Sequence, residues 1–236
     1  MKEYTITNFP DLHKLLRERY YTSQRGAWVF RGHSSAEYTL IPSVGRLRHT
    51  SRSRAKLEES LLAMFERQFF VHTNRVPSNR WELLALAQHH GLPTRLLDWS
   101  FNPLVALYFA LEQDTTCDGS VFALNALTKV SQTQLASSDP LTATRLIKYI
   151  PAAQTPRIVA QEGLFTLQPD VETPLSDQLR TDWQLDEITI PANTKAGLLY
   201  ELFRQGVHRA SLFPDLEGLT YHLRWQHTIA PFRDDA

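Results

Sequence analysis

A short polar segment between two strongly apolar helical patterns constrains this chain more than any other feature. Residues 88–100 read Gln-His-His-Gly-Leu-Pro-Thr-Arg-Leu-Leu-Asp-Trp-Ser. A helical pattern precedes the segment at residues 81–89, and another follows from Asn102 and Pro103 to Leu111. A connection that merely joined two helices would be short and rich in glycine, serine and asparagine. The segment therefore predicts a functional loop that rigid elements hold in place.

The rest of the sequence predicts a single α+β domain over residues 1–236. Hydrophobic spacing and capping signals indicate further helices at about 8–20, 55–72, 141–148, 195–205 and 214–226. Runs of β-formers indicate strands at 27–31, 119–125 and 185–190, and residues 157–167 form one strand or two strands broken at Gly163. Because the first third is mostly helical, we expect it to pack on a small mixed or antiparallel sheet.

The charge balance argues against a protein that binds nucleic acid through bulk charge alone. Lys and Arg number 25, as do Asp and Glu, so the formal net charge is zero. Residues 1–100 nevertheless carry 15 basic against 9 acidic side chains. The basic side chains are densest at residues 46–56. That stretch is either a patch that steers phosphate-bearing ligands or a solvated loop before a helix.

Cysteine, histidine and glycine patterns disfavour several common kinds of site. A single cysteine, Cys117, excludes an internal disulfide and a multi-cysteine metal site. His89 and His90 are adjacent, whereas metal ligands on a helix stand four residues apart, so we expect no metal. The sequence contains no GxGxxG, GxxxxGK or Gly-x-Ser-x-Gly motif, which disfavours the common nucleotide-binding and hydrolase folds.

Hydropathy predicts a soluble, cytoplasmic protein. The first residues lack the apolar core of a signal peptide. No apolar run approaches the ~20 residues that a membrane helix needs. We therefore expect no membrane partner.

Arg31 ends an apolar strand, where its charge must be neutralised by an anion. A ligand phosphate would serve, and so would Asp98 in a structural salt bridge. Arg95 is also close enough in sequence to pair with Asp98. Gly32 allows a backbone or a ligand to approach closely. His89 is either a catalytic or ligand-contacting imidazole or a packed residue at a helix end.

Three further side chains have both a functional and a structural interpretation. Trp99 can stack on a base or a nicotinamide ring, or simply fill the core. Ser100 or Asp98 can cap the following helix. Gln161 lies in a predicted strand, and a buried amide there needs partners. It can orient a ligand hydroxyl or hydrogen-bond the central loop.

Five blocks of this sequence resemble the FRG-domain family. The run Phe30, Arg31 and Gly32 is similar to the triplet that names the family, and residues 88–100 are similar to its central motif. Further similar blocks lie at residues 40–43, 157–165 and 213–219. The resemblance spans about residues 28–223. It implies a single FRG-type domain in a family suspected to act in phage defence or as toxins.

A second, weaker resemblance is to the ADP-ribosyltransferases, which place three separated motifs around split sheets. The run Val29-Phe30-Arg31-Gly32 is similar to their first motif. The run Leu97-Asp98-Trp99-Ser100 before a helix is similar to the second, and Gln161-Glu162 falls where the third motif, a glutamate on a later strand, would lie. This resemblance implies a fold like that of the ADP-ribosyltransferases.

The second resemblance also implies a role for each candidate residue. Arg31 would hold the pyrophosphate of NAD, and Trp99 or Phe165 would face the nicotinamide. Glu162 would stabilise the oxocarbenium-like state of glycosidic cleavage. The candidate catalytic residues are Glu162, Gln161, Asp98 and His89. The candidate NAD-binding residues are Arg31, Gly32, Arg95, Trp99, Ser100 and Phe165.

We therefore expect an ADP-ribosyltransferase-like effector, or an NAD glycohydrolase, with NAD as substrate and a nucleic acid or protein as acceptor. One alternative is a nucleic-acid- or nucleotide-binding module without NAD chemistry, which the basic first half and the many aromatic residues permit. Another is a non-catalytic interaction domain. Because buried polar groups need one another, we expect Arg31, the loop from His89 to Ser100 and Gln161 to converge in one pocket. Scattered positions of Arg31, Asp98 and Gln161 would instead mark them as packing residues.

Overall fold

Seven β-strands form one mixed sheet in the computed structural model, which describes residues 1–21, 28–48, 53–73, 76–113, 116–126, 129–152 and 155–228. The strands are β1 (Lys2–Thr5), β2 (Trp28–His33), β3 (Leu96–Ser100), β4 (Gly119–Asn125), β5 (Ile147–Tyr149), β6 (Gly163–Leu167) and β7 (Gln184–Ile190). Their order across the sheet is β1-β7-β4-β2-β3-β6-β5. β1 and β7 run parallel, and the other neighbouring pairs are antiparallel.

The sheet consists of two halves that meet at a single residue pair. β2 pairs with β4 along its whole length, and β3 pairs with β6 in the same continuous way. Between β2 and β3, by contrast, the register holds one pair, Phe30 opposite Ser100. The two strands diverge beyond this pair, so a gap opens in the middle of the sheet.

Helices flank the sheet, and most of those described begin at a side-chain cap. They are α1 (Phe9–Leu15), α2 (Arg54–Gln68), α3 (Arg80–His89), α4 (Pro103–Leu111), α5 (Gln132–Ser137), α6 (Pro156–Ala160), α7 (Lys195–Arg204), α8 (Arg209–Leu212) and α9 (Leu216–Thr228). Asn79 caps α3 and Asn102 caps α4, each accepting from a backbone amide of the first turn. Gly91, with φ of 85°, lies just after α3 in the left-handed conformation that glycine commonly adopts at a helix C-terminus. None of the helices described is long and apolar enough to span a membrane.

Two apolar clusters lie on one face of the sheet, and a third lies on the opposite face. Phe30 belongs to the first cluster, beside α1, α4 and α7, and Phe165 belongs to the second, beside α2 and α3. Trp99 belongs to the third cluster. Side chains alternate along a strand, so Trp99 points away from its neighbours Asp98 and Ser100.

Several predicted elements are confirmed by the structure. The strands predicted at 119–125 and 185–190 are β4 and β7, and the helices predicted at 55–72 and 195–205 are α2 and α7, within a few residues. The α+β fold class is confirmed as well. The sheet is larger than predicted, because the short strands β1 and β5 have weak patterns and β3 lies within the predicted loop.

Three local predictions are wrong. Residues 141–148 contain the end of a 3₁₀ turn, Pro140–Thr142, and then β5, which pairs with β6 at the sheet edge. In residues 157–167 the strand considered after the break at Gly163 is confirmed as β6, but the part before it is α6, because Thr155 caps a helix whose first residue is Pro156. The second half of the predicted loop is β3, in the interior of the sheet.

Candidate functional site

A cleft of about 410 Å³ opens where β2 and β3 diverge. Phe109 of α4, His89 of α3 and Ile158 of α6 line it. Arg31, several residues of the 88–100 segment and Gln161 also line this cleft. The structure therefore brings Arg31, the central segment and Gln161 together in one pocket, as predicted.

The guanidinium of Arg31 bridges the gap between the two halves of the sheet. Its Nη1 donates to the backbone carbonyl of Asp98 at 2.7 Å, and its Nε donates to Nε2 of His33 at 3.0 Å. The Asp98 carboxylate is farther away, with Oδ2 at 3.7 Å from Nη1. A side-chain hydrogen bond thus continues the contact between the strands after the pair at Phe30. Burial lowers the pKa of Arg31, against the opposing effect of Asp98, but a guanidinium stays charged at neutral pH.

His33 is held in its neutral form beside Arg31. Burial, together with the charge of Arg31, lowers the pKa of His33 to about 3. Because Arg31 donates to Nε2, the imidazole proton is on Nδ1, which lies 3.1 Å from the carbonyl oxygen of Tyr38 and donates to it. The second hydrogen bond fixes the tautomer that can accept from Arg31.

Three consecutive residues of β2 have different roles. Phe30 is buried in the core with α4, and the next residue, Arg31, lies at the gap. Gly32 packs directly against α4, where an added Cβ would lie 1.9 Å from the carbonyl oxygen of Ala106 and 2.6 Å from the amide nitrogen of Ala110. The sequence allowed two reasons for glycine here, the close approach of a backbone or of a ligand. The structure shows the first, because the backbone of α4 packs against Gly32.

A chain of hydrogen bonds holds the Asp98 carboxylate at the cleft. Nε2 of Gln88 donates to Oδ2 of Asp98 at 2.9 Å, and Oε1 of Gln88 accepts from the Thr94 hydroxyl at 2.7 Å. The amide of Leu96 donates to the same hydroxyl at 3.1 Å. These contacts determine which end of the Gln88 amide faces Asp98. The Asp98 side chain is still 60% exposed, so a ligand can reach it.

Two further arginines line the cleft without an acidic partner among the described residues. Arg46 is exposed, and its guanidinium forms no ion pair in that part of the chain. Arg157 lies over the ring of Phe213 at 4.3 Å and likewise has no described carboxylate within 4.0 Å. Burial lowers the pKa of Arg157, with Asp98 opposing the shift.

The acids of the cleft do not balance its arginines. Glu112 lines the cleft, but it is buried and forms an ion pair with Arg209. Asp98 is the more exposed acid and faces Arg31 at 3.7 Å. The arginines of the cleft therefore outnumber its available carboxylates, and the cleft favours an anionic ligand.

Gln161 is the C-terminal cap that follows α6, whereas the sequence placed it in a strand. Its side-chain amide donates to the carbonyl oxygen of Leu212 at 3.1 Å. Its backbone carbonyl accepts from the hydroxyl of Ser100 at 2.7 Å, and Ser100 accepts in turn from the amide of Asn102 at 2.9 Å. Gln161 thus hydrogen-bonds the central segment, as one of its two interpretations proposed. The cap of α4 is Asn102, not Ser100 or Asp98.

Glu162 lies in a turn, not in a strand, and it does not line the cleft. It joins α6 to β6 with φ of 46°, in the left-handed region. Its exposed side chain accepts a hydrogen bond from Nδ2 of Asn102 at 3.1 Å. The carboxylate that the second resemblance assigned to glycosidic cleavage is therefore absent from the residues around Arg31.

Arg95 pairs with Glu58, and the ion pair considered with Asp98 does not form. Nε of Arg95 lies 2.8 Å from Oε2 of Glu58, and the Arg95 backbone amide donates to Oε1 at 2.6 Å. The Arg95 side chain is 3% exposed and that of Glu58 is fully buried. Burial raises the pKa of Glu58, and Arg95 opposes the shift. Arg95 precedes β3 and points toward α2, away from the cleft, so it does not line the site.

The two aromatic rings that were expected to face a nicotinamide are buried. Trp99 fills the core on the opposite face of the sheet, where its indole donates to the Thr166 hydroxyl at 2.9 Å. Phe165 is opposite Asp98 in the register and lines the cleft, but it is almost fully buried. The accessible rings at the cleft belong to Tyr38, which is 52% exposed, and to half-buried Phe109.

His89 is half-buried on the cleft wall, at the last residue of α3. Its Nδ1 lies 3.5 Å from the hydroxyl of Thr155, the residue that caps α6, and its ring meets that of His90 edge-on. Within the described ranges, no group of three or more His, Cys, Asp or Glu side chains could hold a metal ion.

Sequence reasoning gave no role to four residues that shape the cleft. His33 could have been found from strand alternation, which places it on the same face of β2 as Arg31. Gln88 and Arg157 lie within blocks that were singled out, but a one-dimensional pattern does not show which side chains they meet. Tyr38 carried no sequence signal, because it lies in an irregular segment.

Comparison with known families identifies part of the chain. The FRG domain family matches residues 26–119. The match runs from β2 to the first residue of β4, and so includes Arg31, Gln88 and Asp98. The blocks at 157–165 and 213–219 lie beyond it. No curated protein and no solved structure matches the chain.

Proposed function

We propose that this chain, which carries an FRG domain, binds a phosphate-bearing nucleotide in the cleft between the diverging strands β2 and β3. The observation that supports the proposal most strongly is the convergence of Arg31, Arg46 and Arg157 on this cleft, with Asp98 as the exposed acid. Arginines recognise phosphate oxygens through paired, charge-assisted hydrogen bonds.

The surroundings of Arg46 and Arg157 support an anion as the ligand of the cleft. Arg157 is partly desolvated, which disfavours its charge and lowers its pKa. Arg46 is exposed and lines the same cleft without a carboxylate partner in the described chain. A phosphate placed between them would neutralise both and would also lie within the field of Arg31.

The dimensions and the accessible rings of the cleft fit a nucleotide. A volume of about 410 Å³ falls within the range of small-ligand sites. Tyr38 and Phe109 offer ring faces on which a base can stack. The charged and aromatic parts of the cleft thus correspond to the two ends of a nucleotide.

NAD is the dinucleotide to test first, and the second candidate function is cleavage of its nicotinamide–ribose bond. Asp98 supplies an exposed carboxylate beside Arg31, and the divided sheet is in keeping with the weaker resemblance to ADP-ribosyltransferases. Asp98 would stabilise the positive charge that develops on the ribose. Nicotinamide would leave, and water or an acceptor would bond to the same ribose carbon with release of one proton.

Such an activity would act on cytoplasmic NAD and would suit a toxin or phage-defence effector with a nucleic acid or protein as acceptor. Glu162 is not available at the cleft for this chemistry, so we place the carboxylate role on Asp98. Gln161 and His89 would then line the pocket and contact the substrate. The rival functions are a nucleotide-binding module without NAD chemistry and a non-catalytic interaction domain.

Isothermal titration calorimetry with ADP, ADP-ribose and NAD tests the binding proposal. We expect binding by the natural chain and weaker binding by Arg157→Ala. Glu162→Gln is the matched variant outside the cleft and should bind as the natural chain does. Mass spectrometry after incubation with NAD tests cleavage separately. Absence of heat with all three ligands at millimolar concentration would contradict the proposal.

A further inference from the structure

We propose that the Asp98 carboxylate recognises the ribose hydroxyls, so that the cleft selects ribonucleotides over deoxynucleotides. The inference rests on the proposed nucleotide binding and specifies the substrate class of the same site. It follows from the way in which β3 carries this carboxylate and Gln88, near the end of α3, holds it.

Asp98 has one oxygen held by the protein and one free for a ligand. Oδ2 accepts from Nε2 of Gln88 at 2.9 Å, whereas Oδ1 has no hydrogen-bond partner within the described residues. The Gln88 amide cannot rotate freely, because its other end accepts from the Thr94 hydroxyl at 2.7 Å. The protein therefore holds the carboxylate in position through one oxygen and leaves the other oxygen without a described partner, on a side chain that is 60% exposed and lines the cleft.

Arg31 does not use this acceptor. Its guanidinium takes the backbone carbonyl of Asp98 and Nε2 of His33 as hydrogen-bond acceptors. The 3.7 Å distance from Nη1 is to Oδ2, the oxygen that Gln88 already holds, and it lies beyond hydrogen-bonding distance, although the opposite charges still attract. Arg31 forms no described hydrogen bond with Oδ1. The Asp98 carboxylate is thus a site for ligand donors, since an ionised carboxylate only accepts hydrogen bonds.

Among the parts of a nucleotide, the ribose hydroxyls are the donors closest to the phosphate. A phosphate near Arg31 cannot lie against Asp98, because like charges repel. The sugar that follows the phosphate would then lie beside the carboxylate, and the base would reach the ring of Tyr38 or Phe109. In doubly wound dinucleotide-binding folds, an Asp or Glu carboxylate hydrogen-bonds the ribose 2′-hydroxyl, which shows that the two groups are chemically matched.

Calorimetry with a matched ligand set tests this inference. The probes are ADP, 2′-deoxy-ADP, 3′-deoxy-ADP and 2′,3′-dideoxy-ADP. For the natural chain, we expect the dideoxy compound to bind at least tenfold more weakly than ADP. Its binding would displace water from the Asp98 carboxylate without supplying a hydroxyl to donate in place of that water. For Asp98→Ala, the ratio should fall to about threefold or less.

Arg46→Ala is the control for a general loss of affinity. It should weaken ADP and dideoxy-ADP by the same factor, because it acts on the phosphate. Asp98→Asn should give an intermediate ratio, since the amide keeps one acceptor but lacks the charge. Circular dichroism should show that all three variants are folded.

The outcomes separate this inference from the proposal on which it depends. Equal binding of ADP and dideoxy-ADP by the natural chain would overturn ribose recognition while nucleotide binding stands. Inosine diphosphate, which lacks the amine of adenine, tests the base instead. If it binds much more weakly than ADP while the deoxy compounds bind as ADP does, Asp98 contacts the base amine, and ribose recognition is overturned. Failure of all the nucleotides to bind would overturn both.

Discussion

Arg31 contacts the backbone of Asp98 more closely than it contacts the Asp98 carboxylate. Nη1 lies 2.7 Å from the carbonyl oxygen and 3.7 Å from Oδ2. The contact links two strands that are neighbours in the sheet but share only one backbone pair, at Phe30 and Ser100. Arg31 therefore has a structural role that does not depend on the charge of Asp98.

Asp98→Ala should leave the stability of the protein nearly unchanged. The carbonyl that accepts from Arg31 remains in the variant. The lost contacts are a long ion pair to Arg31 and an exposed hydrogen bond from Gln88, so we expect a change below about 1 kcal/mol. Arg31→Ala should destabilise by about 2–3 kcal/mol, because His33 and the Asp98 carbonyl lose their donor. Urea unfolding measures both. Equal losses for the two variants would show that the carboxylate, not the carbonyl, is the partner that matters.

Arg46→Ala should weaken binding of ADP about tenfold, because one charge-assisted phosphate contact is lost. Arg48→Ala is the matched control, since Arg48 is an exposed arginine two residues away that does not line the cleft. Titration calorimetry at two salt concentrations should show a smaller salt dependence for Arg46→Ala than for Arg48→Ala. The same affinity in both variants would remove Arg46 from the site.

Glu58→Ala should destabilise the protein by about 3–5 kcal/mol, because it leaves the buried guanidinium of Arg95 without its counter-ion. Glu59→Ala, on an exposed neighbouring position of α2, should change stability by less than about 0.5 kcal/mol. The measurement is chemical denaturation at neutral pH. A mild effect of Glu58→Ala would indicate that water reaches Arg95.

The stability of the protein should fall in acid partly because of His33. Its pKa is about 3 in the folded protein and near the ordinary value of 6.5 in the unfolded chain, so between these values the unfolded chain binds the extra proton. The contribution of His33 is complete above pH 6.5 and is lost as the pH falls toward 3. It should amount to about 2 kcal/mol between pH 8 and pH 5.

His33→Gln tests this pH dependence, because glutamine keeps an acceptor for Arg31 but does not titrate. Urea unfolding at pH 8 and pH 5 should show a loss for the natural chain that exceeds the loss for the variant by about 2 kcal/mol. Carboxylates that titrate in the same range affect the stability of both proteins equally, so their contribution cancels in the difference between the two losses. Parallel pH profiles would mean that His33 is protonated normally.

Gly32→Ala should destabilise by roughly 3 kcal/mol or more, because the new Cβ would lie 1.9 Å from the Ala106 carbonyl oxygen and would push α4 away from β2. Gly197→Ala is the matched control. It adds the same methyl group within α7, where nothing lies within 4 Å, and should stabilise by up to about 1 kcal/mol. Thermal unfolding of both variants measures the difference. A stable, well-folded Gly32→Ala would show that the helix can shift.

Local patterns predicted most of the elements and the place of the site. They failed where the secondary structure of a segment depends on which distant segment it pairs with. α4 was found because Asn102 and Pro103 are a strong start signal and its apolar run suits a buried helix. Residues 157–161 were assigned to a strand because their apolar composition fits both states, and the helix cap at Thr155 was overlooked. The segment that contains Asp98 was assigned to a loop because polar residues are typical of loops. In the structure it is a strand, and its polar side chains lie where the strand borders the cleft.

The sequence by itself determined the α+β class, the FRG resemblance and the choice of Arg31 and the 88–100 segment as candidates, because composition, periodicity and motifs are properties of neighbouring residues. The tertiary structure alone decided which charges meet. Arg95 pairs with Glu58, 37 residues away, and Arg31 meets the backbone of Asp98, 67 residues away. It also placed Glu162 outside the cleft. Ion pairing and burial depend on which strands and helices become neighbours in space, and spacing along the chain carries little information about those long-range choices.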